Sequence, residues 1–105
     1  MSSFDDRGDA FEKKFAHDAE LQFKVEARRN KLLGLWAAEL LDKTGDAAAE
    51  YAKEVVRADF EEAGDEDVYR KVSSDLGDKA TEATIRAQMT TLMDEAKRQV
   101  MSEQS

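Results

Sequence analysis

Residues 4–31 read FDDRGDAFEKKFAHDAELQFKVEARRNK, and this stretch decides the fold because an amphipathic helical pattern begins in it. It holds four of the five phenylalanines of the chain, among charges of both signs. Since each residue of a helix turns by roughly 100°, Phe4, Phe11 and Phe15 fall within about 40° of one another. The spacing therefore predicts a helix with one narrow aromatic stripe.

A second apolar stripe follows on nearly the same side and predicts the core face of the first helix of the domain. Its members are Leu21, Val25, Leu32, Leu33, Trp36 and Leu40. Asp18 and Gln22 interrupt the side that the two stripes share. We interpret this as two apolar surfaces with different partners. The later stripe faces the chain's own core, and the earlier one faces another molecule.

The aromatic stripe has an alternative interpretation, in which Phe4, Phe11 and Phe15 pack onto the chain's own domain. Two features argue against it. Gly8 lies within the stripe and costs a helix about 1 kcal/mol relative to alanine, and a terminal segment without an anchor usually frays. We therefore expect residues 1–18 to be mobile in the free protein and helical when bound.

The charge of the chain excludes several functions. The length of 105 residues predicts one domain, and the formal net charge is −8. Residues 1–31 hold seven acidic and seven basic residues, so the whole excess lies in residues 32–105. An acidic body argues against binding to nucleic acid or to an anionic membrane, because both need a basic surface.

The residue types and patterns that the sequence lacks exclude further classes of protein. The chain has no cysteine, which excludes disulfides and thiolate metal sites, and no proline, which favours helices. No apolar run approaches the ~20 residues of a membrane span, and no signal-peptide pattern opens the sequence. We expect a cytoplasmic protein without membrane insertion that is a monomer when free.

Turn residues divide the chain into four helices. We predict helix one over residues 18–41, with Gly45 as its C′ residue, and helix two from an Asp46 N-cap to a point before Gly64. The apolar set of helix two has helical spacing: Ala48, Tyr51, Ala52, Val55, Val56 and Phe60.

The second half of the chain gives two more helices. Asp65 is predicted to cap helix three, Gly77 to end it, and Asp78 or Thr81 to begin helix four. Their apolar edges are Val68, Val72 and Leu76, then Ile85, Met89, Leu92, Ala96 and Val100. The sequence thus predicts an all-α fold, a small four-helix bundle over residues 19–105 behind a flexible segment at residues 1–18.

Catalytic and metal sites find little support. The single histidine, His17, lies in the segment expected to be mobile, and no nucleophile or phosphate-binding motif is present. The acidic run at residues 59–67 lacks the EF-hand spacing, since Arg70 stands where the loop glycine would be. We expect no enzyme, a solvated acidic turn with helix caps, and either an ordinary exposed histidine or a pH switch at His17.

Arg28, Arg29 and Lys31 form a local basic cluster on helix one. One interpretation is a solvated face paired with Glu26 and neighbouring acids. The other is a contact to phosphate or nucleotide, or to an acidic partner. Because no glycine-rich phosphate cradle is present, we expect no dedicated cofactor and at most weak ADP or ATP binding.

Three separated strings carry a family resemblance across essentially the whole chain. They are FDDRGDAFEKKFAHDAELQFKVEARRNKLLGLWAAELL at 4–41, KTGD at 43–46 and DFEEAGDEDVYRKVSSDL at 59–76. They resemble the zeta subunit family of alphaproteobacterial F-type ATP synthases, which are small inhibitors of the ATPase. The resemblance implies a four-helix bundle with a flexible N-terminus.

The resemblance also implies a function and a working segment. It implies inhibition of ATP hydrolysis by the catalytic head, with the N-terminal helix inserted at an interface between its α, β and γ subunits. The residues that match this inhibitory segment are Phe4, Asp5, Asp6, Arg7, Phe11, Glu12, Lys14, Phe15, Ala16 and His17. The alternative is an acidic helical adaptor or assembly factor that senses nucleotide through the basic cluster.

Overall fold

The computed structural model describes residues 19–59 and 65–104, nearly all of which lie in four α-helices. The helices are α1 (Ala19–Leu40), α2 (Gly45–Ala58), α3 (Glu66–Leu76) and α4 (Glu82–Gln104), with a 3₁₀ turn at Gly77–Lys79. The predicted all-α, four-helix fold is confirmed. Predictions for residues 1–18, and for Phe60 in helix two, lie outside the described residues.

Helix α1 ends at Leu40, one residue before the predicted end, in a Schellman turn whose C′ residue differs from the predicted one. The Lys43 N–H donates to the Ala38 carbonyl at 2.9 Å, and the Asp42 N–H donates to the Glu39 carbonyl at 3.1 Å. These two bonds define the motif and place Asp42 at C′. Asp42 has φ 60°, which a short polar side chain tolerates. The prediction of Gly45 as the C′ residue was therefore wrong.

The starts of the later helices follow their predicted caps in two cases of three. Helix α2 begins at Gly45 with Thr44 at its N-cap, so the predicted Asp46 cap was wrong and Asp46 lies in the first turn. Asp65 stands at the N-cap of α3 as predicted. Thr81 Oγ1 accepts the backbone N–H three residues on, at 3.2 Å, so Thr81 rather than Asp78 caps α4.

The core consists of two clusters that follow the predicted stripes. The larger one joins all four helices, and the smaller one extends it between the first half of α1 and the second half of α4. Their buried members are Leu33, Ala37, Ala38, Tyr51, Val55, Val68, Val72, Leu76, Ile85 and Met89, then Leu21, Val25, Ala96 and Val100. Each valine, leucine, isoleucine or methionine side chain among them contributes about 1.5–3 kcal/mol when fully buried.

Some predicted core residues lie at the edge of these clusters. Trp36, Leu32 and Leu92 are half-buried and pack against the clusters from outside. Leu40 is one of the more exposed large apolar side chains, so its assignment to the core was wrong. Within the described residues, no helix combines the length and the apolar character that a membrane span requires.

Candidate functional site

The residues that the sequence assigned to partner binding lie in the first 18 positions, outside the described residues. They are Phe4, Asp5, Asp6, Arg7, Phe11, Glu12, Lys14, Phe15 and His17. Their role stays a prediction. The other candidate, the basic cluster Arg28, Arg29 and Lys31, lies on α1, where its three side chains have different surroundings.

Arg28 faces the C-terminal end of α4. Its Nη1 donates to Gln99 Oε1 at 2.7 Å, and its guanidinium pairs with the Glu103 carboxylate at 2.7 and 2.9 Å. This pairing holds the pKa of Glu103 below its usual range. Arg28 therefore ties the second half of α4 to α1, and its charge is already balanced by Glu103.

Arg29 is a buried residue, with only 2% of its surface exposed. Its Nε donates to Asn30 Oδ1 at 2.7 Å and its Nη2 to Asp65 Oδ1 at 2.8 Å. The interpretation of a solvated basic face was thus wrong for this residue. Because Asp65 is the N-cap of α3, the guanidinium joins the middle of α1 to the start of α3.

Several carboxylates crowd around the Arg29 guanidinium. Burial, and then the nearby Asp59, raise the pKa of Glu26. Burial also raises the pKa of Asp59, although Arg29 and the Asn30 amide act in the opposite direction. Asn30 Nδ2 is buried and makes no hydrogen bond of good geometry with the described residues. This cluster is therefore crowded with negative charge and incompletely satisfied.

Lys31 is exposed and lines a groove of about 510 Å³ between α1 and α2. Its floor is apolar, and the other cations at its rim are Lys53 and Arg57 of α2. No carboxylate is among the described residues that line it. We call this feature the α1–α2 groove, lined by Lys31, Leu35, Ala49, Ala52, Lys53, Val56 and Arg57.

A second depression continues the α1–α2 groove toward the start of α1, sharing Lys31 and Val56 with it. Phe23 lies at its far end with 54% of its surface exposed, the largest exposure of any bulky apolar residue in the described part of the chain. Phe23, Ala27, Lys31 and Leu35 recur every four residues, which places them along one side of α1. The result is one apolar track whose rim is basic along the α1–α2 groove and carries one carboxylate, Glu103, beside Arg28 at the Phe23 end.

Comparison with known proteins identifies the chain. The family model for the ATPase inhibitor subunit zeta matches residues 1–99. The chain belongs to the ATPase inhibitor subunit zeta family. A protein with a solution NMR structure is 63% identical to this zeta-family chain, with a TM-score of 0.75 over 79% of this chain and 98% of that one. No curated protein matches the chain.

The family match confirms the resemblance that the sequence carried. It also covers both parts of this zeta-family chain, the segment ahead of α1 and the bundle. Sequence reasoning missed Lys53 and Arg57 as site residues. Their spacing of four residues, beside the apolar Ala49 and Val56, was the available signal. It could not reveal Lys31 as the third cation, because that residue belongs to another helix.

Proposed function

We propose that this chain is a regulatory inhibitor of ATP hydrolysis by the catalytic head of the F-type ATP synthase. Residues 1–18 act as the inhibitory segment and insert as a helix at a catalytic interface of the head. The observation that carries the proposal is the family match, which begins at residue 1 and so includes this segment. The protein then works at the periphery of the membrane-bound synthase, on the side of the head.

The packing of the start of α1 against α4 supports separate roles for the two parts of the chain, with residues 1–18 as the inhibitory segment and the bundle as its carrier. Leu21 is 4% exposed and Val25 is fully buried, and both pack against Ala96 and Val100 of α4. The first turns of α1 are therefore anchored by the bundle itself. A partner can order the preceding residues without drawing on this core. That ordering offsets about 2–5 kcal/mol of the interaction energy.

The proposal is tested in the aromatic stripe, where a matched control exists. Phe11→Ala and Phe15→Ala remove predicted anchors, and Lys13→Ala changes the charged side of the same helix. Truncating an aromatic anchor costs about 2 kcal/mol or more, which is roughly thirtyfold in affinity. We expect this loss in the half-inhibitory concentration for ATP hydrolysis by the matching synthase. Equal inhibition by the phenylalanine variants and the lysine variant would refute the inserted helix.

A second candidate function is an acidic helical adaptor that senses ADP or ATP. The observation that favours it is the α1–α2 groove, where Lys31 joins two further cations above an apolar floor. Its volume falls within the range of small-molecule sites, about 300–1,000 Å³. Arg28 and Arg29 do not line this groove, since both are engaged elsewhere.

Amide NMR distinguishes the two functions. The adaptor predicts shifts on adding ADP or ATP that cluster at Lys31, Lys53 and Arg57, together with unchanged ATP hydrolysis by the purified synthase. An inhibitor that also senses nucleotide would show both the shifts and the inhibition. If no amide shifts appear at nucleotide concentrations up to the millimolar range, the nucleotide-sensing adaptor is refuted.

A further inference from the structure

We propose that the α1–α2 groove and the exposed Phe23 form a second docking surface for the protein that receives residues 1–18. Its occupant is a segment of that protein with apolar side chains flanked by carboxylates. The inference rests on the proposed function, which assigns residues 1–18 to a protein partner, and adds a contact made by the bundle.

The charge of the surface is opposite to that of the chain. The whole chain carries −8, yet Lys31, Lys53 and Arg57 line the groove with no carboxylate among its described lining residues. Lys53 pairs only with the exposed Glu50, at 3.4 Å. No ion pair joins Lys31 or Arg57 to another residue of the described ranges. Such a rim attracts an acidic partner. In a two-fold dimer formed through this surface, the rim would face the same rim of the second copy, and the like charges would repel.

The apolar part of the surface fits a protein segment. The groove floor is formed by Leu35, Ala49, Ala52 and Val56, and Phe23 extends it toward the start of α1. From Phe23 to Leu35 the track is about 18 Å long, since a helix rises by about 1.5 Å per residue. That length accommodates about three turns of a partner helix. Aromatic residues, including phenylalanine, and arginine are enriched in protein–protein interfaces.

Chain continuity places the same partner beside this surface. Phe23 follows Ala19, the first residue of α1, by four residues, which is about 6 Å along the helix. A protein that holds residues 1–18 must therefore lie next to the first turns of α1. Lys24, Arg28 and Lys31 line the depression there, and Glu103, which pairs with Arg28, is its one carboxylate among the described residues. Binding begun by the N-terminal segment thus brings the partner to the basic track.

Tethering explains how a weak contact here becomes effective. Once residues 1–18 are bound, the bundle meets its docking site at an effective concentration in the millimolar range. A contact that is too weak to measure alone then multiplies the overall affinity about tenfold or more. The surface is expected to slow dissociation, while the N-terminal segment provides the inhibition itself.

The test uses the full chain and the matching synthase. Lys31→Glu, Arg57→Glu and Phe23→Ser change exposed residues of the surface. Lys79→Glu, in the 3₁₀ turn on another part of the surface, is the matched charge reversal. We expect the three surface variants to raise the half-inhibitory concentration and the dissociation rate about tenfold. Lys79→Glu should match the wild type, and circular dichroism should show the same helix content throughout.

The outcomes separate this inference from the function on which it rests. If the wild-type chain does not inhibit, the proposed function fails. If the wild type inhibits and all three variants inhibit equally well, the second docking surface is refuted. The inference is also overturned if the variants keep full inhibition but lose ADP binding or self-association, because the groove then serves a small anion or a second copy.

Discussion

Gly34 of α1 lies directly against Ala52 of α2. A β-carbon on Gly34 would stand 2.6 Å from the Ala52 Cα and 3.2 Å from its Cβ. Real Cβ atoms do not approach a backbone carbon so closely, so the two helices meet at this point because residue 34 has no side chain. The contact sets the spacing of α1 and α2, and with it the width of the α1–α2 groove, in which Ala52 is a lining residue.

Gly34→Ala should destabilise the protein by about 1–3 kcal/mol, the usual cost of overpacking a core. The higher helix propensity of alanine offsets about 1 kcal/mol of a larger steric cost. Urea unfolding followed by circular dichroism measures the free energy of unfolding. A variant as stable as the wild type would contradict the close approach of the two helices.

Asp65→Asn should lower the free energy of unfolding by about 1.5–3 kcal/mol, the contribution of a hydrogen bond to a charged group. The reason is that the buried Arg29 loses its hydrogen bond to a charged acceptor, the Asp65 carboxylate. Asp78→Asn, in the exposed 3₁₀ turn, is the matched control and should change stability by less than about 0.5 kcal/mol. Equal effects of the two substitutions would remove Arg29–Asp65 as a link between α1 and α3.

Glu26→Gln should change the pH dependence of stability in a defined direction. The pKa of Glu26 is raised in the folded protein by burial and by Asp59. The folded state therefore holds its proton to higher pH than the unfolded chain does, and stability falls as pH rises from the ordinary carboxyl range through the raised pKa. Glutamine does not titrate, so the variant lacks this pH-dependent contribution to stability.

As the pH rises from about 4 to about 7, the Glu26→Gln variant should thus gain unfolding free energy relative to the wild type. Urea titrations at several pH values give this difference directly. Glu95→Gln provides a control of opposite sign, since Arg98 and Gln99 lower the pKa of Glu95. A Glu26 variant that loses relative stability as pH rises would contradict the crowding of charge around Arg29.

Tyr51→Phe should lower stability by about 1 kcal/mol, because a partly buried hydrogen bond is lost. The Tyr51 hydroxyl donates to Asp75 Oδ2 at 2.9 Å, which joins α2 to α3, and burial together with this bond raises the pKa of Tyr51. Tyr69→Phe is the matched control. The Arg86 guanidinium carbon lies 4.0 Å from the centroid of the Tyr69 ring. Phenylalanine at residue 69 keeps that ring. Identical losses in the two variants would argue against the Tyr51 bond.

The sequence predicted the fold well where apolar spacing and turn residues agree. The stripe through Ile85, Met89, Ala96 and Val100 is buried as expected, and Thr81 caps its helix. The C′ residue of α1 was predicted wrongly because Asp42 adopts the left-handed conformation three residues ahead of Gly45. The C′ position of a helix is usually occupied by glycine, but here the two Schellman hydrogen bonds form with Asp42 at that position.

The candidate site was less accessible to sequence reasoning, because its chemistry depends on residues far apart in the chain. Arg28, Arg29 and Lys31 are neighbours on one helix, yet Asp65 and Glu103 determine what two of them do. Lys31 makes no ion pair within the described ranges and lines the α1–α2 groove. Its groove partners, Lys53 and Arg57, become visible once α2 is packed against α1.

The central claim is that residues 1–18 inhibit and the bundle carries them. The most direct measurement is ATP hydrolysis by the matching synthase with the full chain and with a variant that lacks residues 1–16. We predict that the truncated protein loses inhibition while its helix content and unfolding free energy stay close to those of the full chain. Full inhibition by the truncated, folded protein would contradict the claim.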